Sequence, residues 1–200
     1  MLTTKKQTDS SKLDWIDPTI TWSRADHWPG MDNPKALALV VGPQITVYTL
    51  NKVLMDGRSR INILYYNTFI RLGLTNEQLL PSAITFHGIL PGKSARPEGQ
   101  ITLKVTFGDS TNFHSETLSF KVFKIQSSYH AILGMTTYIM FMARPFYAYL
   151  KRKIPGPRGT ITIQGSHGMA LSCEKNDAYH AVAEKDGVPT PALDSEFTTQ

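Results

Sequence analysis

Few side chains in this sequence stand where they could do chemistry, and the clearest is one carboxylate. The apolar run Val53-Leu54-Met55 ends on Asp56, turns through Gly57-Arg58-Ser59-Arg60 and resumes as Ile61, Ile63 and Leu64. Asp-Gly after an apolar strand is first a tight-turn signal, because Gly supplies the positive φ that such turns need. The same pattern also presents a carboxylate on a loop at the end of a buried strand. Two such carboxylates about 3 Å apart cannot both ionise, so they share a proton and divide the roles of base and acid. Only one Asp-Gly loop of this kind exists here. Asp109 also borders a turn, but Gly108 precedes it and no buried strand leads in. A chemistry that needs two such carboxylates would have to take the second Asp56 from another copy of the chain across a twofold axis.

Other site chemistries fail on spacing. No Gly-x-Gly-x-x-Gly and no P-loop is present, although Gly is plentiful. His87, His114, His130, His167 and His180 lack metal-ligand spacing, so no metal and no cofactor are expected. Ser59 lies near Asp56, but no histidine is placed by sequence to serve as its base. The lone Cys173 excludes an internal disulfide and has no partners for a structural zinc.

The elements that must position Asp56 read mainly as β. Ala38 to Ile45 is one strand candidate and Tyr48 to Met55 the next, joined by Thr46-Val47, a poor turn pair. Tyr65 to Leu72 carries apolar residues at helical spacing and stops at Gly73, a glycine C-cap. A loop with a helical turn near Glu77 follows. Ile84 to His87 and Gln100 to Phe107 read as strands around a Gly- and Pro-rich connection. In the second, Ile101, Leu103, Val105 and Phe107 alternate with polar residues. Gly108 to Asn112 is a turn, and Ser115 to Ile125 alternates again through Leu118, Phe120 and Val122. Tyr129 to Gly134 is an apolar strand ending in Gly, followed by a helix over 136–143. Tyr147 to Ile154 and Thr160 to Ile163 form a hairpin about Pro155-Gly156-Pro157-Arg158-Gly159. Lys151-Arg152-Lys153 within it reads as a solvated strand face.

Two hundred residues, 41% hydrophobic and 18% charged, suit one domain with tails. Residues 1–34 read as a mostly disordered N-terminal arm, 35–165 as the domain and 166–200 as a polar C-terminal linker or tail, with a weak helix over 173–183. Trp15, Trp22 and Trp28 are unusual in such an arm and imply that part of it packs on the domain. Stacking on nucleic acid is the alternative use of these rings. The net charge of +5 is scattered and demands no acidic partner. No stretch approaches the ~18 consecutive apolar residues of a membrane span, and the N-terminus lacks a signal peptide's apolar core. These features lead to the expectation of an intracellular, cytoplasmic protein without membrane contact.

The order and spacing of these motifs resemble the retropepsin-like aspartic proteases of plant gypsy-class LTR-retrotransposon gag-pol polyproteins. The resemblance is carried by Val53 to Asp56, Asn62 to Tyr65, Phe86-His87-Gly88, Gly99 to Leu103, Phe107-Gly108 and Tyr129 to Gly134, within residues 36–164. It implies an all-β fold class, mainly β with two short helices: a single-lobe closed barrel with a flap hairpin. It implies Asp56 as the catalytic residue, Gly57, Arg58 and Ser59 as its loop, and Ile132, Leu133 and Gly134 as the supporting strand. Gly88, Ile89, Leu90, Pro91 and Gly92 would form the substrate-binding flap. The implied partners are a second copy of the chain and a peptide or polyprotein substrate, with nucleic acid only through the wider polyprotein.

One departure bears on activity. The family has glycine where this chain has Arg58, and Arg60 replaces a serine usual in plant relatives. Arginine there crowds the cleft, and its charge favours two ionised carboxylates over a shared proton. Two further readings stay open beside the peptidase: an inactive homodimerising or peptide-binding remnant of the same fold, and a nucleic-acid-associated structural piece.

Overall fold

A computed structural model describes residues 19–23, 26, 37–82, 85–90, 93–146, 150–186 and 197–199. Its centre is a nine-stranded sheet rolled into a nearly closed barrel. The strands expected over 38–45 and 48–55 are each divided in two: β1 (Val40–Val41), β2 (Gln44–Ile45), β3 (Tyr48–Leu50) and β4 (Val53–Met55). Pro43 lacks an N–H for a continuous ladder, and the chain changes partners there. β1 pairs with β4, while β2 pairs with β3 and with β8 (Gly99–Gly108). The poor turn pair still closes the β2–β3 hairpin. Thr46 takes a positive φ of 57°, and its N–H donates to the Lys104 carbonyl at 2.9 Å.

β5 (Asn62–Tyr65) runs straight into α1 (Tyr66–Arg71). That helix ends at Leu72, and Gly73 follows with φ +73°, the conformation for which glycine is favoured. Phe69 is its anchor, fully buried and stabilising by about 3 kcal/mol on burial alone. A 3-10 turn over Asn76–Gln78 is fixed by a capping box between Thr75 and Gln78. β6 (Phe86–Leu90) and β7 (Lys93–Ala95) form a separate two-stranded hairpin. β8 and β9 (Phe113–Phe123) are the longest antiparallel pair. Ile101, Leu103, Val105 and Phe107 pack with Leu118, Phe120 and Val122 in the barrel core, as the alternation predicts.

β10 (Ala131–Leu133) and α2 (Met135–Met140) follow. The C-terminal hairpin is a three-stranded sheet of β11 (Arg144–Phe146), β12 (Lys151–Gly156) and β13 (Gly159–Gln164). Its Lys-Arg-Lys run is not a solvated face. Strand alternation turns Arg152 inward, where it is 2% exposed and lies over the Tyr138 ring. Lys151 and Lys153 hold the N-terminal arm. Lys153 Nζ donates to the Thr21 carbonyl and pairs with Asp26, over the Trp22 ring, and Lys151 Nζ donates to the Asp26 carbonyl. Trp15 and Trp28 lie outside the described residues.

Beyond Gly165 the weak helix expected over 173–183 is α3 (His167–Asp186), twenty residues long. Ala170 and Cys173 are buried on its inner side, and Asp177 accepts the Ser128 N–H at 3.0 Å. β14 (Phe197–Thr199) pairs antiparallel with β3 at the edge of the large sheet. The rest of the polar tail expected over 166–200, with Pro189-Thr190-Pro191, is outside the described residues.

Candidate active site

The path of three strands determines where Asp56 sits. β4 and β5 are neighbours in sequence yet do not pair with each other. β10 lies between them, parallel to β4 (Leu133 opposite Met55) and antiparallel to β5 (Ala131 opposite Leu64). The connection 56–61 must therefore arch over the end of β10. Asp56 begins that arch, and its N–H donates to the Leu133 carbonyl at 2.9 Å. Asp56 Oδ1 accepts the Arg58 N–H at 2.9 Å, and the Asp56 carbonyl accepts the Ser59 N–H at 3.2 Å. The carboxylate is half-buried, at the mouth of the loop.

An arch this close leaves no room for a side chain at the end of the strand beneath it. A Cβ on Gly134 would stand 2.3 Å from the Ile61 carbonyl oxygen and 2.7 Å from that of Ser59. In the strand that the resemblance gives as supporting the loop, glycine is the residue that permits so close a backbone approach. On the far side of Gly134 the Met135 N–H donates to the Ser59 carbonyl at 2.7 Å, tying the start of α2 to the loop.

One organising residue escaped the sequence reading. Asn62 is 2% exposed and satisfies three elements at once. Its Oδ1 accepts the Gly134 N–H and the Thr137 hydroxyl, both at 2.8 Å, and its Nδ2 donates to the Ser119 carbonyl at 3.1 Å. The available signal was an amide among Ile61, Ile63 and Leu64, since a buried amide must find partners.

The remaining candidates fall in place around this arch. Gly57 and Ser59 are half-buried, with Ser59 Oγ donating to the Ile61 carbonyl at 2.8 Å. The Arg58 side chain is exposed, while its backbone N–H is the group bound to Asp56. Leu133 is fully buried in the main core, and Ile132 points to the opposite face of the sheet. There it joins Ile61 against a second cluster of Ile63, Tyr65, Ala95 and Phe123. Phe86, at the base of the β6–β7 hairpin, packs on the same cluster, its ring edge-on to Phe123 at 5.8 Å. The hairpin thus rises from the apolar patch that borders the Asp56 loop. Gly88, Ile89 and Leu90 lie in β6; Pro91 and Gly92 are outside the described residues.

Asp109 cannot serve as a second acid from within the same chain. Its Oδ1 caps the β8–β9 turn, accepting the Thr111 hydroxyl and the N–H groups of Thr111 and Asn112 at 2.6–2.9 Å. These bonds, the Thr111 hydroxyl first, hold its carboxyl below the usual range. Among the described residues no group of His, Cys, Asp and Glu side chains could hold a metal ion, and no helix is long and apolar enough to cross a membrane.

No model of a known protein family matches the sequence, and no curated protein does. Solved structures do match. The chain is similar to the retroviral protease-like domain of Ddi1 from Leishmania major, with 15% identity over 64% of this chain and 93% of that one, at a TM-score of 0.47. It is also similar to a retropepsin-like aspartic protease from Rickettsia conorii, with 15% identity over 62% and 90% of the two chains, at a TM-score of 0.37. At these scores the likenesses carry no argument about activity.

Proposed function

We propose that this chain is a retropepsin-like aspartic peptidase domain of gypsy-class gag-pol origin, in which two copies each contribute Asp56 to one site. The observation that carries the reading is the arch itself. At the end of a buried strand the Asp56 carboxylate accepts the Arg58 N–H of its own loop, and the Asp56 backbone N–H donates to the Leu133 carbonyl, over a glycine that admits no side chain. The bond from the Arg58 N–H is one that turn aspartates commonly accept, as Asp109 does; the tie to Leu133 and the close approach to Gly134 go beyond it. Paired across a twofold axis, two such carboxylates would share a proton, one activating water and the other protonating the substrate carbonyl. The hairpin rooted at Phe86 and Ala95 would close over an extended peptide. Cleavage of a varied peptide set at mildly acidic pH, lost in Asp56→Asn, supports the reading. A folded, dimeric wild-type protein that cleaves nothing, and is unchanged by Asp56→Asn, removes it.

A second reading is favoured by Arg58, exposed beside the carboxylate. Twofold symmetry would bring two guanidinium groups to the mouth of the site and favour both carboxylates ionised. The domain then acts as a homodimerising or peptide-binding remnant. Peptide binding without turnover, unaffected by Asp56→Asn, is its signature.

A further inference from the structure

The strands that carry Asp56 at one end build a different site at the other. Lys52 precedes β4, His130 precedes β10 and Tyr65 closes β5, so the three meet about 13 Å along the strands from the Asp56 loop. They line one small pocket with Asn67 and Arg71 of α1 and with Ser128. Lys52 is 8% exposed, and among the described residues no carboxylate pairs with it. Ser128 is 2% exposed, and its hydroxyl, in contrast to its N–H, has no hydrogen-bond partner. A cation and a buried, unpartnered hydroxyl thus border the same cavity, with Arg71 and His130 beside them.

We infer that this pocket binds an oxyanion of the phosphate type, one oxygen seated between Lys52 and Ser128 and the rest directed to the mouth beside Arg71. The cavity is too small to enclose a whole phosphate and is open on one side, which suits a group entering by a single oxygen. His130 adds no positive charge of its own. Burial, then the charges of Lys52 and Arg71, bring its pKa down to about 4. Its ring stays neutral and reports on the charge beside it. The site is independent of the peptidase reading, since none of its residues belongs to the Asp56 arch.

Inorganic phosphate is the probe, with chloride at matched ionic strength as the control. Phosphate should raise the melting temperature of the full chain by about 3 °C at saturation. The rise should persist in Lys104→Met, an exposed lysine on β8, vanish in Lys52→Met and shrink in Ser128→Ala. An equal rise with chloride, an equal rise in Lys52→Met, or no rise in the wild type overturns the proposal. If Lys52→Met does not fold, the wild-type His130 resonance decides. Saturable movement of its titration to higher pH with phosphate supports the site, and an unmoved titration refutes it.

Discussion

Replacing Gly134 with alanine tests whether the Asp56 loop depends on the clearance beneath it. Gly134 has φ −87°, which any residue adopts, so the substitution carries no backbone strain and acts by bulk alone. The added Cβ would lie 2.3 Å from the Ile61 carbonyl oxygen, where real contacts essentially never fall below 3.0 Å. The neighbour is backbone and cannot rotate aside, so the arch must lift by about 1 Å. Overpacking of this kind costs about 1–3 kcal/mol. Lifting the arch also strains the Met135–Ser59 and Gly134–Asn62 hydrogen bonds, each worth about 1 kcal/mol. The expected loss is about 3 kcal/mol, which lowers the urea midpoint by roughly 1.5 M at an ordinary slope. Gly168→Ala is the internal control. It lies in α3 with nothing within 4 Å of a new Cβ, and alanine there should stabilise by roughly 0.5–1 kcal/mol. Urea unfolding of both variants, with amide exchange at Asp56 and Met135, measures the effect. A Gly134→Ala protein as stable as Gly168→Ala, with both amides still protected, would refute the arch argument.

Three other outcomes follow from the same structure. Asn62→Ala removes the partner of the Gly134 N–H, the Thr137 hydroxyl and the Ser119 carbonyl, and should cost about 2–4 kcal/mol by denaturant titration; a loss under 1 kcal/mol would mean water replaces the amide. Arg58→Gly keeps the backbone N–H on Asp56 and removes the exposed cation, so peptide cleavage at mildly acidic pH should rise, further with Arg60→Ser, and disappear on adding Asp56→Asn. A folded, dimeric double revertant without activity would place the defect elsewhere. His130 binds its proton at about pH 4 when folded, against the ordinary 6.5. Between those values the unfolded chain holds more protons, so stability should fall by about 3 kcal/mol as pH drops from 7 to 4 and then level off, a slope that His130→Asn should flatten.

What was legible in the sequence was whatever depends on neighbours in the chain. Alternation along β8 and β9 showed which residues face the core, and Gly73 marked the end of α1 because its φ is a local need. Asp56 and Gly134 could be singled out because an acid after an apolar strand and a glycine after another are local oddities. That Gly134 lies beside the loop Asp56 begins was implied by the family resemblance alone; the local pattern did not show it, since it follows from β10 entering between β4 and β5. Asn62 was overlooked for the same reason, as its partners are at Ser119, Gly134 and Thr137. Lys151-Arg152-Lys153 misled because charge suggested water, whereas the partners of its two lysines came from the N-terminal arm. The length of α3 was hidden by polarity: among its described residues only Ala170 and Cys173 are fully buried, and Asp177 accepts the Ser128 N–H.

The insertion of β10 between β4 and β5 also sets a schedule. Two strands joined by a short loop would ordinarily zip together as soon as both leave the ribosome. Here they must stay apart until Ala131, Ile132 and Leu133 arrive from far downstream, and only then does Asp56 acquire the carbonyl that holds it. Contacts of such wide sequence separation form late, because a long loop must close before they are rewarded. A nascent or truncated chain ending before Leu133 has every residue of the Asp56 loop and none of its foundation. Whatever this carboxylate does, it can begin only when synthesis has passed β10.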